Sequence, residues 1–157
     1  MKNLYVYVFI ILFFILGFYL FKHRKKPVQI SELKNMHFSY STSVMMNASV
    51  SYDLRYESSE YIATIKPNLV ADNEAISVKI SRDEVLMIEE VLKKYEVSKW
   101  DGFNQSDNNV LDGNSFSFSA GFVSGEKIGA SGYMKYPKNY GEVKVKLDEI
   151  FMKFYKK

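Results

Sequence analysis

The sequence predicts an α+β fold in which an N-terminal transmembrane helix precedes an antiparallel sheet with two helices on one face. Three observations carry this expectation: an uncharged run of 18 residues from Leu4 to Phe21, several stretches where apolar and polar residues alternate, and two segments with apolar residues at every third or fourth position. Residues 1–26 read as the anchor and its basic flank, and residues 27–157 as a single domain, because the remaining chain is too short for two independent cores.

The run LYVYVFIILFFILGFYLF covers roughly 27 Å at 1.5 Å per residue, close to a hydrocarbon core of about 30 Å. Tyr5, Tyr7 and Tyr19 lie near its ends, where amphipathic rings favour the interface. A cleaved signal peptide would need small residues at its cut site, whereas Phe21 is followed by Lys-His-Arg-Lys-Lys. A retained span is therefore expected, with the lipid bilayer as its partner through Leu4 to Phe21. Lys22, Arg24, Lys25 and Lys26 outweigh Lys2 and the terminal amine, so the flanking charge favours a cytoplasmic domain.

Within the domain, Met36 to Tyr40 alternate as one strand. Val50, Tyr52, Leu54 and Tyr56 alternate with polar neighbours, Ser58-Ser59 turns the chain, and Tyr61 to Ile65 return as an antiparallel partner. Ile76, Val78 and Ile80 mark a further strand. Ser81-Arg-Asp-Glu84 has the pattern of a capping box, and Val85, Ile88, Val91, Leu92 and Tyr95 continue as a helix with Lys93-Lys94 in its last turn. Phe116, Phe118, Ala120 and Phe122 alternate with small polar residues, Ser124-Gly125 turns the chain, and Lys127 to Tyr133 pair back. Val143, Leu147, Ile150, Phe151 and Phe154 then predict a C-terminal helix from Glu142 onward.

Five of the 21 Lys and Arg residues (Lys2, Lys22, Arg24, Lys25 and Lys26) belong to the anchor, which leaves 16 basic against 18 acidic residues and a domain charge of about −2. Phosphate binding needs a basic face, so nucleic acid is not an expected partner. The chain has no cysteine, which removes disulfides, thiol catalysis, thiolate metal sites and a lipid-bearing Cys.

Residues for chemistry are sparse, and no catalytic residue, metal or cofactor is predicted. His37 stands alone on a strand and reads as a surface or edge residue, leaving little material for a Ser-His-Asp triad. Gly129-Ala-Ser131-Gly132 lacks the last glycine of a nucleophile elbow, since position 133 is Tyr. The Asx-rich segment from Trp100 to Asn114 fits a calcium loop only at Asp107 and Asn109, and no Glu closes it. It reads instead as a long surface loop with turns at Asp101-Gly102 and Asp112-Gly113 and with Trp100 directed to the core. Asp83 and Glu84 support the helix N-terminus, while Glu89 and Glu90 read as a solvated face.

Lys99-Trp-Asp-Gly-Phe103, Val110-Leu-Asp-Gly113, Ser115-Phe-Ser-Phe118 and Ala130-Ser-Gly-Tyr-Met-Lys-Tyr-Pro137, with Phe38-Ser-Tyr-Ser41, Ser51-Tyr-Asp53 and Asn139-Tyr140, resemble a family of uncharacterised small bacterial domains. Members of that family often follow a lipoprotein signal or a single membrane helix. The resemblance spans most of residues 30–155; it implies a domain outside the cytoplasm and brings no activity. We take the extracytoplasmic placement as the expectation, although the flanking charge favours the other side.

The function expected is that of a single-pass membrane protein with a non-enzymatic binding domain for a protein or cell-envelope ligand. The alternatives are a cell-envelope hydrolase using Asp101, Asp107 and Asp112, or an immunity-like inhibitor. The binding surface is placed where the 98–114 loop meets residues 133–140, with Trp100, Asp101, Asp107, Asp112, Tyr133, Tyr136 and Tyr140 as ligand-binding candidates. Pro137, between two of the tyrosines, would fix their arrangement. The competing reading is that Tyr136 and Tyr140 pack over the helix ends.

Overall fold

Every alternating stretch becomes a strand, and both apolar-periodic segments after residue 80 become helices. The computed structural model describes residues 12–13, 28–42, 48–68, 75–107 and 109–156. Its elements are β1 (Leu33–Thr42), β2 (Ala48–Glu57), β3 (Glu60–Asn68), β4 (Ile76–Ile80), α1 (Arg82–Lys94), β5 (Phe103–Ser106), β6 (Ser115–Phe122), β7 (Lys127–Tyr133) and α2 (Tyr140–Tyr155). The expected span Leu4–Phe21 lies outside the described residues except for Leu12 and Phe13. Among the described residues no helix is long and apolar enough to cross a membrane.

The seven strands form one sheet in the order β4-β3-β2-β1-β6-β7-β5. β1 joins the two halves, pairing antiparallel with both β2 and β6, so Phe38 faces Tyr52 on one side and Phe118 on the other. The β2–β3 turn places Ser58 and Ser59 at φ 51° and 68°, the left-handed geometry that matches the twist of a two-residue hairpin. The α1 capping box forms in full: the Glu84 N–H donates to Ser81 Oγ, and the Ser81 N–H donates to Glu84 Oε2.

The sheet is not purely antiparallel. β5 arises inside the segment expected to be loop, and it runs parallel to β7 with Phe103 opposite Ala130 and Ser106 opposite Tyr133. Asn104, Gln105 and Ser106 are all exposed, so this edge strand has no inward face to leave an alternating pattern. The turn at Gly102, φ 80°, and the Gly102 N–H bond to the Gly129 carbonyl set it against β7.

One face of the sheet carries the core. Met36, Phe38, Tyr52, Leu54, Ala63, Ile65, Phe116 and Phe118 share a single buried cluster with Val85, Ile88 and Leu92 of α1 and Val143, Leu147, Phe151 and Phe154 of α2, which puts both helices on that face. Tyr52 stacks on Phe151 at 4.6 Å, and its hydroxyl donates to Asp148 Oδ1 at 2.8 Å. Tyr40 donates to the same oxygen at 2.9 Å, while Lys144 binds Oδ2 and lies 4.0 Å above the Tyr40 ring. Asp148 thus docks α2 onto two strands, and burial pushes the Tyr40 and Tyr52 hydroxyls up from their ordinary value.

Glu89 departs from the solvated face expected for it. It is 2% exposed and accepts the Leu33 N–H at 2.8 Å and the Arg82 guanidinium at 2.7 and 3.3 Å. Position 89 stands one turn from Val85 and Leu92, on the buried stripe, and Arg82 supplies the countercharge from two turns earlier. Glu90 is exposed as expected.

Candidate functional site

Trp100 ends a 3-10 turn, Val97–Trp100, and is 1% exposed. Its indole N–H donates to the Lys138 carbonyl at 2.9 Å, and its ring meets Phe118 edge-on at 5.4 Å. Tyr140 opens α2 against this base, 4.7 Å from Phe116 and 6.2 Å from Phe38. Tyr136 stacks on Tyr140 at 4.6 Å with an interplanar angle of 23°, stays 37% exposed, and donates to the Asn114 carbonyl at 3.3 Å. The chain reaches this arrangement through left-handed residues at Met134 and Asn139, φ 56° and 64°. Gly132 is required beneath it, since a Cβ there would strike the Phe116 ring at 2.6 Å and the Lys135 carbonyl.

The result is a cleft of about 210 Å3 with Trp100, Phe103, Tyr95, Tyr136 and Pro137 as walls. Lys99, Glu96 and Lys138 stand at its rim, with Lys99 paired to Glu96. Asn139 closes one side by donating to the Tyr95 carbonyl at 3.2 Å. Burial raises the Tyr140 and Tyr136 hydroxyls above their ordinary value. An apolar cleft walled by fixed aromatic rings with a few rim charges suits noncovalent binding.

The other expected residues do not join it. Asp101 accepts the Gly129 N–H at 3.2 Å at one end of β5, and Asp107 donates its own N–H to the Tyr133 carbonyl at the other. A strand of four residues keeps its ends roughly 10 Å or more apart, so these carboxylates do not converge. The Asn109 N–H, with Lys135 at 3.4 Å, holds the Asp107 carboxyl below its usual range, the opposite of what a general acid needs. Asp112 is exposed. Tyr133 points to the opposite face of the sheet, where its hydroxyl donates to the Val110 and Leu111 carbonyls at 3.1 and 3.0 Å. Trp100, expected to point into the core and also offered as a contact residue, is buried in the core and lines the cleft from beneath. Among the described residues no group of three His, Asp or Glu side chains could hold a metal.

Sequence reasoning missed Tyr95 and Phe103 as cleft walls and missed a polar row on the open face. There His37 Nδ1 lies 2.8 Å from Asp53 Oδ1 and Nε2 lies 3.1 Å from Ser39 Oγ, the connectivity of a triad. β1 is hydrogen-bonded to strands on both edges, so the N–H groups around Ser39 are engaged in the ladder and none is free to stabilise an oxyanion. The alternation of His37 with Ser39 was visible; the register that brings Asp53 opposite His37 was not. The chain matches no protein-family model, no curated protein and no solved structure.

Proposed function

We propose that the protein is a membrane-tethered, non-enzymatic recognition domain that holds a protein or cell-envelope ligand at the Tyr136 cleft. The observation that carries this reading is a ring open to solvent on one side and stacked on the other against half-buried Tyr140, which packs on the aromatic core. Such a ring loses little conformational entropy when it meets a partner. The uncharged run Leu4–Phe21 supports the tether, and the resemblance described above supports a domain outside the cytoplasm. The separation of Asp101 from Asp107 along β5 favours this reading over a hydrolase that uses the loop carboxylates.

A photo-crosslinking residue in place of the exposed Lys138, in full-length protein expressed in its native membrane, should give one discrete adduct, while the same residue at Ser117 on the open face should give none. Equal labelling from both positions would defeat the assignment of the cleft. Alkaline carbonate should leave the protein with the membranes, and protease added to intact spheroplasts should digest the domain; release by carbonate or full protection would remove the tether or reverse the side.

A further inference from the structure

A second concave surface lies between α1 and α2 and adjoins the cleft at Tyr95, which lines both. It has a volume of about 550 Å3, and its floor is apolar, with Val91 and Ile150 at the base and Met87, 44% exposed, at the lip. Lys93, Lys94, Lys146 and Lys153 border it against only Glu90 and Glu149. Glu149 is taken by Lys146 at 2.7 Å, and Lys93 leans 4.0 Å from buried Glu89. Among the described residues Lys94 and Lys153 pair with no carboxylate; Lys94 rests 5.5 Å over the Tyr95 ring. Positive charge is thus gathered at one groove of a domain that carries a small net negative charge.

We propose that this groove docks an acidic amphipathic helix of a partner protein. Two helices side by side present a furrow into which the ridge of a third helix fits, and apolar residues at i, i+3 and i+7 would reach the Val91–Ile150 floor. Acidic residues flanking that stripe would meet the Lys94 and Lys153 rims. A bilayer surface is flat on this scale; it would meet the lysines and leave the recessed floor unfilled. The 13 residues of α1 run for about 20 Å, so the docked helix needs about three to four turns.

The probe is a labelled helical peptide of about 14 residues with a leucine stripe flanked by glutamates, and its counterpart with lysine for every glutamate. Each is titrated by fluorescence anisotropy with the full chain in nonionic detergent. The acidic peptide is expected to bind saturably and at least about tenfold more tightly than the basic one, with weakening in high salt. The double variant Lys94→Glu with Lys153→Glu should lower that affinity at least about tenfold, Lys94→Gln with Lys153→Gln should lower it less, and Tyr136→Ala should leave it unchanged. Both lysines are exposed, and an unchanged melting temperature in the Gln variant separates lost docking from lost folding. Equal affinity for the two peptides, indifference to both variants, binding to anionic vesicles without binding to the peptide, or self-association abolished by the same variants would each overturn the proposal.

Discussion

The two ends of β1 meet very different surroundings. At its start, the Leu33 N–H is held by buried Glu89, its carbonyl accepts the Tyr61 hydroxyl at 2.9 Å, and Arg82 lies 5.7 Å over the Tyr61 ring while binding Glu89. Near its other end, Tyr40 lies opposite Phe116, and the aromatic rings built around that pair rise to the surface at Tyr136. The first corner is rigid and its polar groups are satisfied inside the domain. The second is equally well packed beneath but leaves one aromatic face unmatched. Rigidity alone therefore marks structure, whereas rigidity beneath an open face marks a place to look for recognition.

The largest expected effect breaks the first corner. Glu89→Ala leaves the Leu33 N–H buried without its acceptor and removes the partner of Arg82, at a cost of about 3–4 kcal/mol. Thermal unfolding should show a fall on the order of 10 °C. A cost below about 1 kcal/mol would show that this corner does not hold the fold as the geometry implies.

Next in size, the second corner should divide between its two tyrosines. Tyr140→Ala removes a ring packed among Phe38, Phe116 and Trp100 and should cost about 3 kcal/mol or more in denaturant unfolding. Tyr136→Ala should cost under about 1 kcal/mol, because its outer face is solvated and its hydroxyl bond is long at 3.3 Å. Similar costs for the two would erase the distinction between base and open face.

A smaller, graded effect should appear at high pH. Burial pushes the Tyr61 hydroxyl up to about 12 and raises Tyr40, Tyr52 and Tyr140 as well. Unfolded tyrosines ionise near pH 10, so the stability from burying neutral rings is full below about pH 10 and is lost as pH rises toward 12. Melting temperature followed against pH should begin to fall near 10; a flat profile to pH 12 would contradict the packing assigned to these rings.

Much of the fold was legible because alternation and helical periodicity are local signals. Residues 50–65 and 116–133 announced their hairpins, and Ser81 with Glu84 announced α1. What escaped depended on partners distant in sequence. β5 is a polar edge strand defined by β7, and Glu89 is buried only because β1 brings the Leu33 N–H to it. The candidate site was half legible for the same reason. Tyr136 and Tyr140 lie four residues apart beside Pro137 and do stack, but Tyr133 falls on the other face by strand alternation, and the aspartates follow β5 to opposite ends. Phe103 and Tyr95 gave no local sign that they would wall a cleft with Tyr136.

In the proposed function, the exposed face of Tyr136 contacts a ligand while contributing little to stability. The direct measurement combines Tyr136→Ala with the crosslinking residue at position 138 and reads adduct yield and melting temperature in the same full-length protein. The expected result is loss of at least about nine-tenths of the adduct, a loss of order 1.4 kcal/mol in binding, with a melting temperature within about 4 °C of the parent. An undiminished adduct, or a large fall in melting temperature, would contradict it and leave Tyr136 as packing at the edge of the core.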